Sequence, residues 1–355
     1  MIQTSKHQVL YKVEQLPIFQ NRMYDSEIEA KNCPKGDVCL IEDIETGLVY
    51  NASFIPELMV YDQHYQNEQG LSPLFHQHLT NVLSIIESRI GKEDIVEVGC
   101  GKGFFLEMLS KEGFQIIGFD PTYEGLNPVI EKRYFTSDVG IHGKGIILRH
   151  VLEHIQNPID FLFQLRDANG GEGKVYIEVP CFDWICRHHA WFDIFYEHVN
   201  YFRLSDFYRM FGEIVDSGKL FGDQYIYVVA ELSSLRIPKF DRLDSVCFPT
   251  DFLKKLKDDH IVGQSKTAIW GGASKGVIFA LFKSRIGHFV DLVIDINPAK
   301  QNKYLPYTAI KVSSPDEIFD LLPAKSTIFV MNSNYLEEIK KMSKNLFNYV
   351  SVDNE

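Results

Sequence analysis

Hydrophobic and polar positions along this chain switch between a period of two and a period near 3.6, and the switches mark out an α/β protein. Residues 94–120 carry the clearest example. Ile95, Val96 and Val98 make an apolar strand, Gly99, Gly101 and Gly103 a glycine turn, and Phe104 to Lys111 a helical stretch that Gly113 stops. Gln115 to Phe119 reads as the next strand, closed by Asp120. Strand, glycine turn, helix, strand and terminal acid form the first half of a doubly wound nucleotide-binding fold.

The alternation continues. GIILRHV, KVYIEVP and QYIYVVAEL read as strands, with helices in DFLFQLRDA, ended by Gly170 and Gly171, and in LSDFYRMFGEI. Beyond a polar stretch at 236–262, expected to be a helical connector, residues 266–350 repeat the scheme. KTAIWGGASKG is strand, turn and helix start; VDLVIDINP and STIFVMN are strands; PDEIFDLL and YLEEIKKMSKNL are helices. Before the core, the strand-like runs LIEDI and GLVYN alternate with turn-rich segments, and a helix is expected from Ser72-Pro73 to about Ile90. Three units follow: an auxiliary N-terminal unit at 1–80, a Rossmann-like core at 81–235 and a second Rossmann-like α/β unit at 236–355.

Composition narrows the function classes. The 355 residues are 45% hydrophobic, as in a globular protein with real cores. A net charge of −12 and the lack of any basic block disfavour nucleic acid. No apolar run reaches membrane-spanning length and the N-terminus lacks a signal-like apolar stretch, so a cytoplasmic protein is expected. The scattered cysteines 33, 39, 100, 181, 186 and 247 form no disulfide framework, which fits a reducing compartment.

The glycine turn selects its ligand by charge. A dinucleotide needs a third glycine one residue later than Gly103, and Glu97 just before the turn would repel a pyrophosphate. A cofactor carrying a sulfonium and an ammonium tolerates that carboxylate, so S-adenosylmethionine is expected. Asp120 is placed for its ribose hydroxyls, and Arg149 and His150, at the end of the fourth strand, join the expected cofactor site.

Two histidine segments follow strand ends on the ligand side. RHVLEHI places His150, Glu153 and His154 close together but is not a zinc-protease motif, and it reads equally as a structural turn. WFDIFYEHVNYF sets Glu197 and His198 among Phe195, Tyr196, Tyr201 and Phe202. A histidine beside a carboxylate and walled by aromatics suits a general base, or is a satisfied core histidine. Cys33 and Cys39 lack a second pair, so no metal is expected. The second glycine turn and Lys275 suit a diphosphate, or only shape a cleft wall.

Together these motifs resemble the three-domain C-methyltransferases that act on nucleotide-linked deoxy-keto sugars. The resemblance covers nearly the whole chain. It is carried by Tyr61-x-x-x-Tyr65 with NEQG behind it, by EHVNYF, and by IWGGASKG, DINPAKQNKYLP and MNSNYLEEI. It implies a small N-terminal zinc module, a class I methyltransferase core and a C-terminal α/β domain. It further implies His198 as general base beside Glu197, His154 as a second active-site histidine, Tyr65 or Tyr196 facing the acceptor, and Tyr61, Asn67 and Lys275 as acceptor contacts. Two departures stand out. Phe195 occupies a position that often holds tyrosine, and Asp43 and Thr46 stand where a zinc-binding cysteine pair ends the module, which is therefore expected without its metal. C-methylation of a nucleotide-activated sugar is the first expectation, O- or N-methylation of a small molecule the second, and a non-catalytic scaffold the third. Oligomeric state is unconstrained.

Overall fold

The structure, a computed structural model, describes residues 7–59, 65, 70, 72–257 and 266–353. Tyr61 and Asn67 lie outside the described residues. Three sheets organise the chain. The largest has seven strands, in the spatial order Ile130–Glu131, Ile116–Phe119, Ile95–Val98, Gly145–Arg149, Lys174–Pro180, Tyr225–Glu231 and Ile214–Leu220. The first five run parallel; Tyr225–Glu231 is antiparallel to both neighbours. From the central strand Ile95–Val98 the chain goes first to one side, to Ile116–Phe119, and later to the other, to Gly145–Arg149. The crevice at that reversal is where open α/β sheets bind ligands. This is the Rossmann-like core expected from the alternation of elements.

The C-terminal sheet is five-stranded and parallel throughout, in the order Val312–Ser313, Leu292–Ile294, Thr267–Trp270, Thr327–Val330 and Asn348–Ser351. Its central strand feeds a second glycine turn and the helix Lys275–Arg285. Trp191 of the core packs against Phe279 and Phe282 of that helix, with ring centroids 5.5 and 5.1 Å apart. Truncating so fully buried a tryptophan to alanine costs about 3–5 kcal/mol.

The N-terminal sheet is antiparallel, and its fourth strand comes from the core. His7–Pro17, Lys35–Asp43 and Val49–Asn51 are joined by Asn200–Tyr201, with Val49 opposite Tyr201. The chain around His198 is thus fixed at one end in the N-terminal unit. Asp43, at the end of the Lys35–Asp43 strand, closes the following turn with its own side chain. Its Oδ1 accepts from the Glu45 N–H at 2.6 Å and the Thr46 N–H at 3.3 Å. A carboxylate-closed turn stands here at the position of the cysteine pair that the resemblance implies.

Three sequence expectations change. Over the described residues 236–257 the expected helical connector is instead irregular, with short 3-10 turns at Arg242–Asp244 and Lys254–Lys257. Pro238 and Pro249 interrupt it, and instead of an amphipathic stripe it offers Phe248 and Phe252, which pack on Tyr11. Strand Ile214–Leu220 was hidden inside the expected helix and loop, because an edge strand with Asp216, Ser217 and Lys219 shows no apolar run. The long strand His7–Pro17 was equally silent. No described helix is long and apolar enough to cross a membrane.

Candidate active site

The glycine turn between Ile95–Val98 and helix Phe104–Lys111 is pinned from the neighbouring strand. Asp120 Oδ2 accepts from the Gly101 N–H at 2.8 Å, and Oδ1 accepts from the Thr122 N–H and hydroxyl at 2.8 and 2.7 Å. One lone pair of Oδ2 is left over by these bonds. Gly101 has φ +55, and a Cβ there would meet nothing within 4 Å. Gly103 is different: at φ +82 its Cβ would lie 2.4 Å from Ile130. Glu97 is buried, and its Oε2 has no hydrogen-bond partner among the described residues. Burial raises its carboxyl to about 7, against the pull of Arg149 and with the help of Asp120. An acid-lined turn with an orphaned carboxylate oxygen fits a cationic cofactor, whose ammonium would supply the missing donor.

Arg149 and His150 lead into a buried charge cluster that the sequence did not disclose. Its centre is Glu178, fully buried on strand Lys174–Pro180. Glu178 receives His78 Nε2 at 2.8 Å, the Tyr176 hydroxyl at 2.8 Å and Arg149 Nε at 3.2 Å, with His150 Nε2 at 3.3 Å. Burial alone would raise its carboxyl; Arg149, His150 and His78 outweigh burial and hold it well below the usual carboxylate range. Arg149 lies over the Phe105 ring, 4.5 Å from its centroid. His150 sits at φ +52, an uncommon backbone for a side chain of this size. Burial disfavours its cation, yet the bond from Nδ1 to Glu153 and the nearby Glu178 carboxylate raise it to about 9. The one readable signal was Glu178 itself, a lone acid inside an apolar strand; His78, on the buried face of helix Pro73–Arg89, gave none.

His154 and His198 come together, their ring centroids 5.0 Å apart. His154 Nδ1 lies 2.9 Å from the Glu197 carbonyl. A carbonyl only accepts, so Nδ1 carries the proton and Nε2 faces away from that bond. The ring of His198 meets Phe195 at 4.8 Å and Tyr201 at 6.3 Å. Burial pushes the His198 imidazole well below its ordinary value of 6.5, reinforced by the charges of His154, His150 and Lys275. It is therefore neutral at pH 7.

Glu197 does not hydrogen-bond to the His198 ring. Its carboxylate is taken by the N-terminal unit: the Tyr65 hydroxyl donates to Oε2 at 2.7 Å, and the Gln20 and Asn21 N–H groups donate to Oε1, the latter at 3.2 Å. Burial raises its carboxyl while His154 and these donors oppose the rise. Tyr65 thus reaches the cluster through Glu197. Tyr196 is not brought there; it is fully buried, its hydroxyl accepts from the Ile55 N–H at 2.9 Å and its ring packs on Phe54.

A cavity of about 200 Å³ lies at the equivalent reversal of the C-terminal sheet. Gly271, Ser274, Asp295, Asn297 and Lys300 line it, closed by Asn21 of the N-terminal unit and Tyr225 of the core. Asn297 Nδ2 is buried without a partner among the described residues. Lys275 also borders the cavity, but its Nζ is 3.0 Å from Asp193 Oδ2 and donates to Gln224 Oε1 at 2.8 Å. Among the described residues one group has the donors a divalent cation needs: Glu153, His154 and His198, with ligand atoms within 4.8 Å of one another. A base at His198 needs the same lone pair, so the two uses exclude each other. Cys33 is buried and Cys39 half-buried, and neither joins such a group.

Residues 66–214 match the family model of a methyltransferase domain, and residues 248–349 that of a C-methyltransferase C-terminal domain. The chain is 26% identical over 165 residues to the C-methyltransferase NovU of Streptomyces niveus, a match covering 42% of this chain and 39% of that protein. It spans, then, about two fifths of the length of this curated relative. Solved structures with some likeness include an S-adenosylmethionine-dependent methyltransferase from Mesorhizobium loti (13% identity, TM-score 0.34, 44% of this chain and 99% of that one). Another comes from Archaeoglobus fulgidus (17%, 0.32, 43% and 94%). The first matched region holds the glycine turn, Asp120, His154 and His198, and the second the C-terminal glycine turn. The core sheet has the class I, Rossmann-like fold, and the chain matches a methyltransferase domain there and a C-methyltransferase C-terminal domain beyond it.

Proposed function

We propose that the chain methylates carbon, and that its acceptor is a nucleotide-linked keto-sugar deprotonated by His198. The observation that carries this reading is the His154–His198 pair. It joins a neutral, half-buried imidazole to a second ring whose tautomer is fixed by a backbone carbonyl. S-adenosylmethionine, when bound, supplies an already activated methyl group. The protein's tasks are then to hold the acceptor in line, exclude water and move one proton. His198 takes the proton from the carbon beside the ketone. His154, once it carries a proton at Nε2 as well as at Nδ1, is the donor proposed to stabilise the enolate oxygen, while the one Tyr65 proton stays on Glu197 and holds the loop. Glu97, Arg149 and Asp120 hold the cofactor, and the turn Gly99–Gly103 gives it room.

The nucleotide handle is assigned to the C-terminal cavity. The diphosphate would lie against the turn after strand Thr267–Trp270, with Lys275 and Lys300 as the nearby cations. Solvent deuterium supplies the test. With a nucleotide-linked keto-sugar, wild-type protein should wash deuterium into the carbon next to the ketone, and His198→Gln should not. A product methylated on oxygen, with no deuterium wash-in, would replace this reading by O-methylation.

A further inference from the structure

Two residues of the N-terminal unit join the C-terminal cavity to the loop that carries the proposed base. Asn21 lines the cavity, and its side-chain oxygen accepts from the Ser274 hydroxyl at 3.0 Å. The Ser274 N–H donates to the carbonyl of Gln20 at 3.1 Å. From the same two residues, the backbone N–H groups of Gln20 and Asn21 both donate to Glu197 Oε1, and Asn21 Nδ2 reaches the Tyr65 hydroxyl at 3.5 Å. Tyr65 in turn holds the other oxygen of Glu197. Glu197 precedes His198 directly and supplies the carbonyl that orients His154. Hydrogen bonds therefore run from the second glycine turn to Glu197, whose carbonyl holds His154 and whose peptide bond leads to His198, through one dipeptide that belongs to neither sheet it connects.

One end of that set is strained. Ser274 has φ +45 and ψ −106, a combination outside the regions that side-chain-bearing residues normally occupy. Such backbones persist where surrounding contacts over-determine them, and they concentrate at ligand clamps and switches. Ser274 is held there by Gln20 and Asn21 and lies on the cavity wall. A ligand that settles against the turn must act on Ser274 and on Asn21 together.

We propose that Asn21 is a positioning residue that couples occupation of the C-terminal cavity by a nucleoside diphosphate to the placement of His198 and His154. The proposal rests on the assignment of the nucleotide handle to that cavity and adds what the handle does there. Binding energy from a part of the acceptor remote from the reacting carbon is used to set the base. It also gives the N-terminal unit a task in which no metal takes part.

The test needs no methyl transfer. Full-length protein labelled with ¹³C at histidine is titrated with thymidine diphosphate and uridine diphosphate, followed by calorimetry and by histidine ring resonances assigned through His154→Gln and His198→Gln. Wild-type protein is expected to bind one of the two and to shift the His154 and His198 signals. Asn21→Ala is expected to bind the same diphosphate within about threefold of the wild-type affinity without shifting those signals. Ser274→Ala, which removes the donor to Asn21, should uncouple in the same way. Shifts that survive in both variants would overturn the proposal. So would wild-type binding with no shift, or loss of diphosphate affinity in Asn21→Ala, which would make Asn21 a ligand contact only. Absence of diphosphate binding to wild-type protein would overturn the proposal together with the cavity assignment. Deuterium wash-in at His198 would still stand or fall by itself.

Discussion

In the core, the Gly101 N–H and the Thr122 N–H donate to the two oxygens of Asp120, each at 2.8 Å. In the C-terminal unit, the Gly272 N–H and the Asn297 N–H donate to the two oxygens of Asp295, again at 2.8 Å. The same latch holds both turns: a carboxylate at the end of the second strand grips the glycine turn after the first. The difference lies around the latch. Two residues before its first turn glycine the core has Glu97, and the C-terminal unit has Ile269. Beside Asp295 stands the buried Lys300, with Nζ 3.6 Å from Oδ2, and Lys275 borders the same cavity. One backbone device thus stands beside an orphaned acid in one place and, in the other, beside lysines that are each paired with an aspartate. Under the proposed function the orphaned acid suits a cationic cofactor, and an anionic handle would compete with Asp193 and Asp295 for Lys275 and Lys300.

The largest expected effect lies between the two clefts. His198→Gln should lower kcat by about 10²–10⁴-fold, with S-adenosylmethionine affinity unchanged by calorimetry. Turnover near wild type would remove His198 from the chemistry and leave both clefts without a base. Next comes a paired exchange of the latches. A hydrogen bond to a charged group contributes about 1.5–3 kcal/mol, so Asp120→Ala should weaken S-adenosylmethionine by about 10–150-fold. It should spare nucleoside diphosphate binding, and Asp295→Ala should do the reverse. If either variant weakened both ligands alike, the idea of two separately charged clefts would fail.

Smaller effects sharpen the picture. Gly101→Ala places a methyl in open space but at φ +55, which costs about 1–2 kcal/mol. A modest drop in melting temperature is expected, with a larger loss of cofactor affinity than of diphosphate affinity. The pH dependence carries a definite sign. The pKa of His198 lies well below 6.5 in the folded protein, so it stays neutral as acid is added. The acid limb of kcat should begin well below pH 6.5, and a limb at or above it would count against His198. In the unfolded chain the same ring protonates near its ordinary value. The stability that His198 contributes is therefore present above pH 6.5 and is lost as the pH falls below it. His150 has the opposite sign. Its pKa, near 9, stabilises the fold below pH 6.5, and that contribution is lost as the pH rises through 9.

Periodicity and glycine placement were enough to locate both glycine turns, the core strands and Asp120. These are local properties: alternation, a turn that only glycine enters easily, and a charge at a strand end. The same reading missed Ile214–Leu220 and put a helix after residue 236, because an edge strand and an aromatic strap are recognised by what they pack against. EHVNYF was legible as a site segment by composition. That Glu197 faces the N-terminal unit while His198 faces His154 was not legible, since neighbours in sequence can point into different units.

The sequence by itself determined the kind of fold, the two turns and the charge preference of the first, because each depends on residues within about one strand–turn–helix unit. Only the tertiary structure decided which residues act together. Glu178 gathers His78 from a helix and Arg149 and His150 from the end of the neighbouring strand, besides Tyr176 of its own, and Gln20 and Asn21 join the C-terminal cavity to the Glu197 loop from a third unit. A buried charge or an N–H must find its partner wherever the packed chain supplies one, and no spacing in the sequence records that distance.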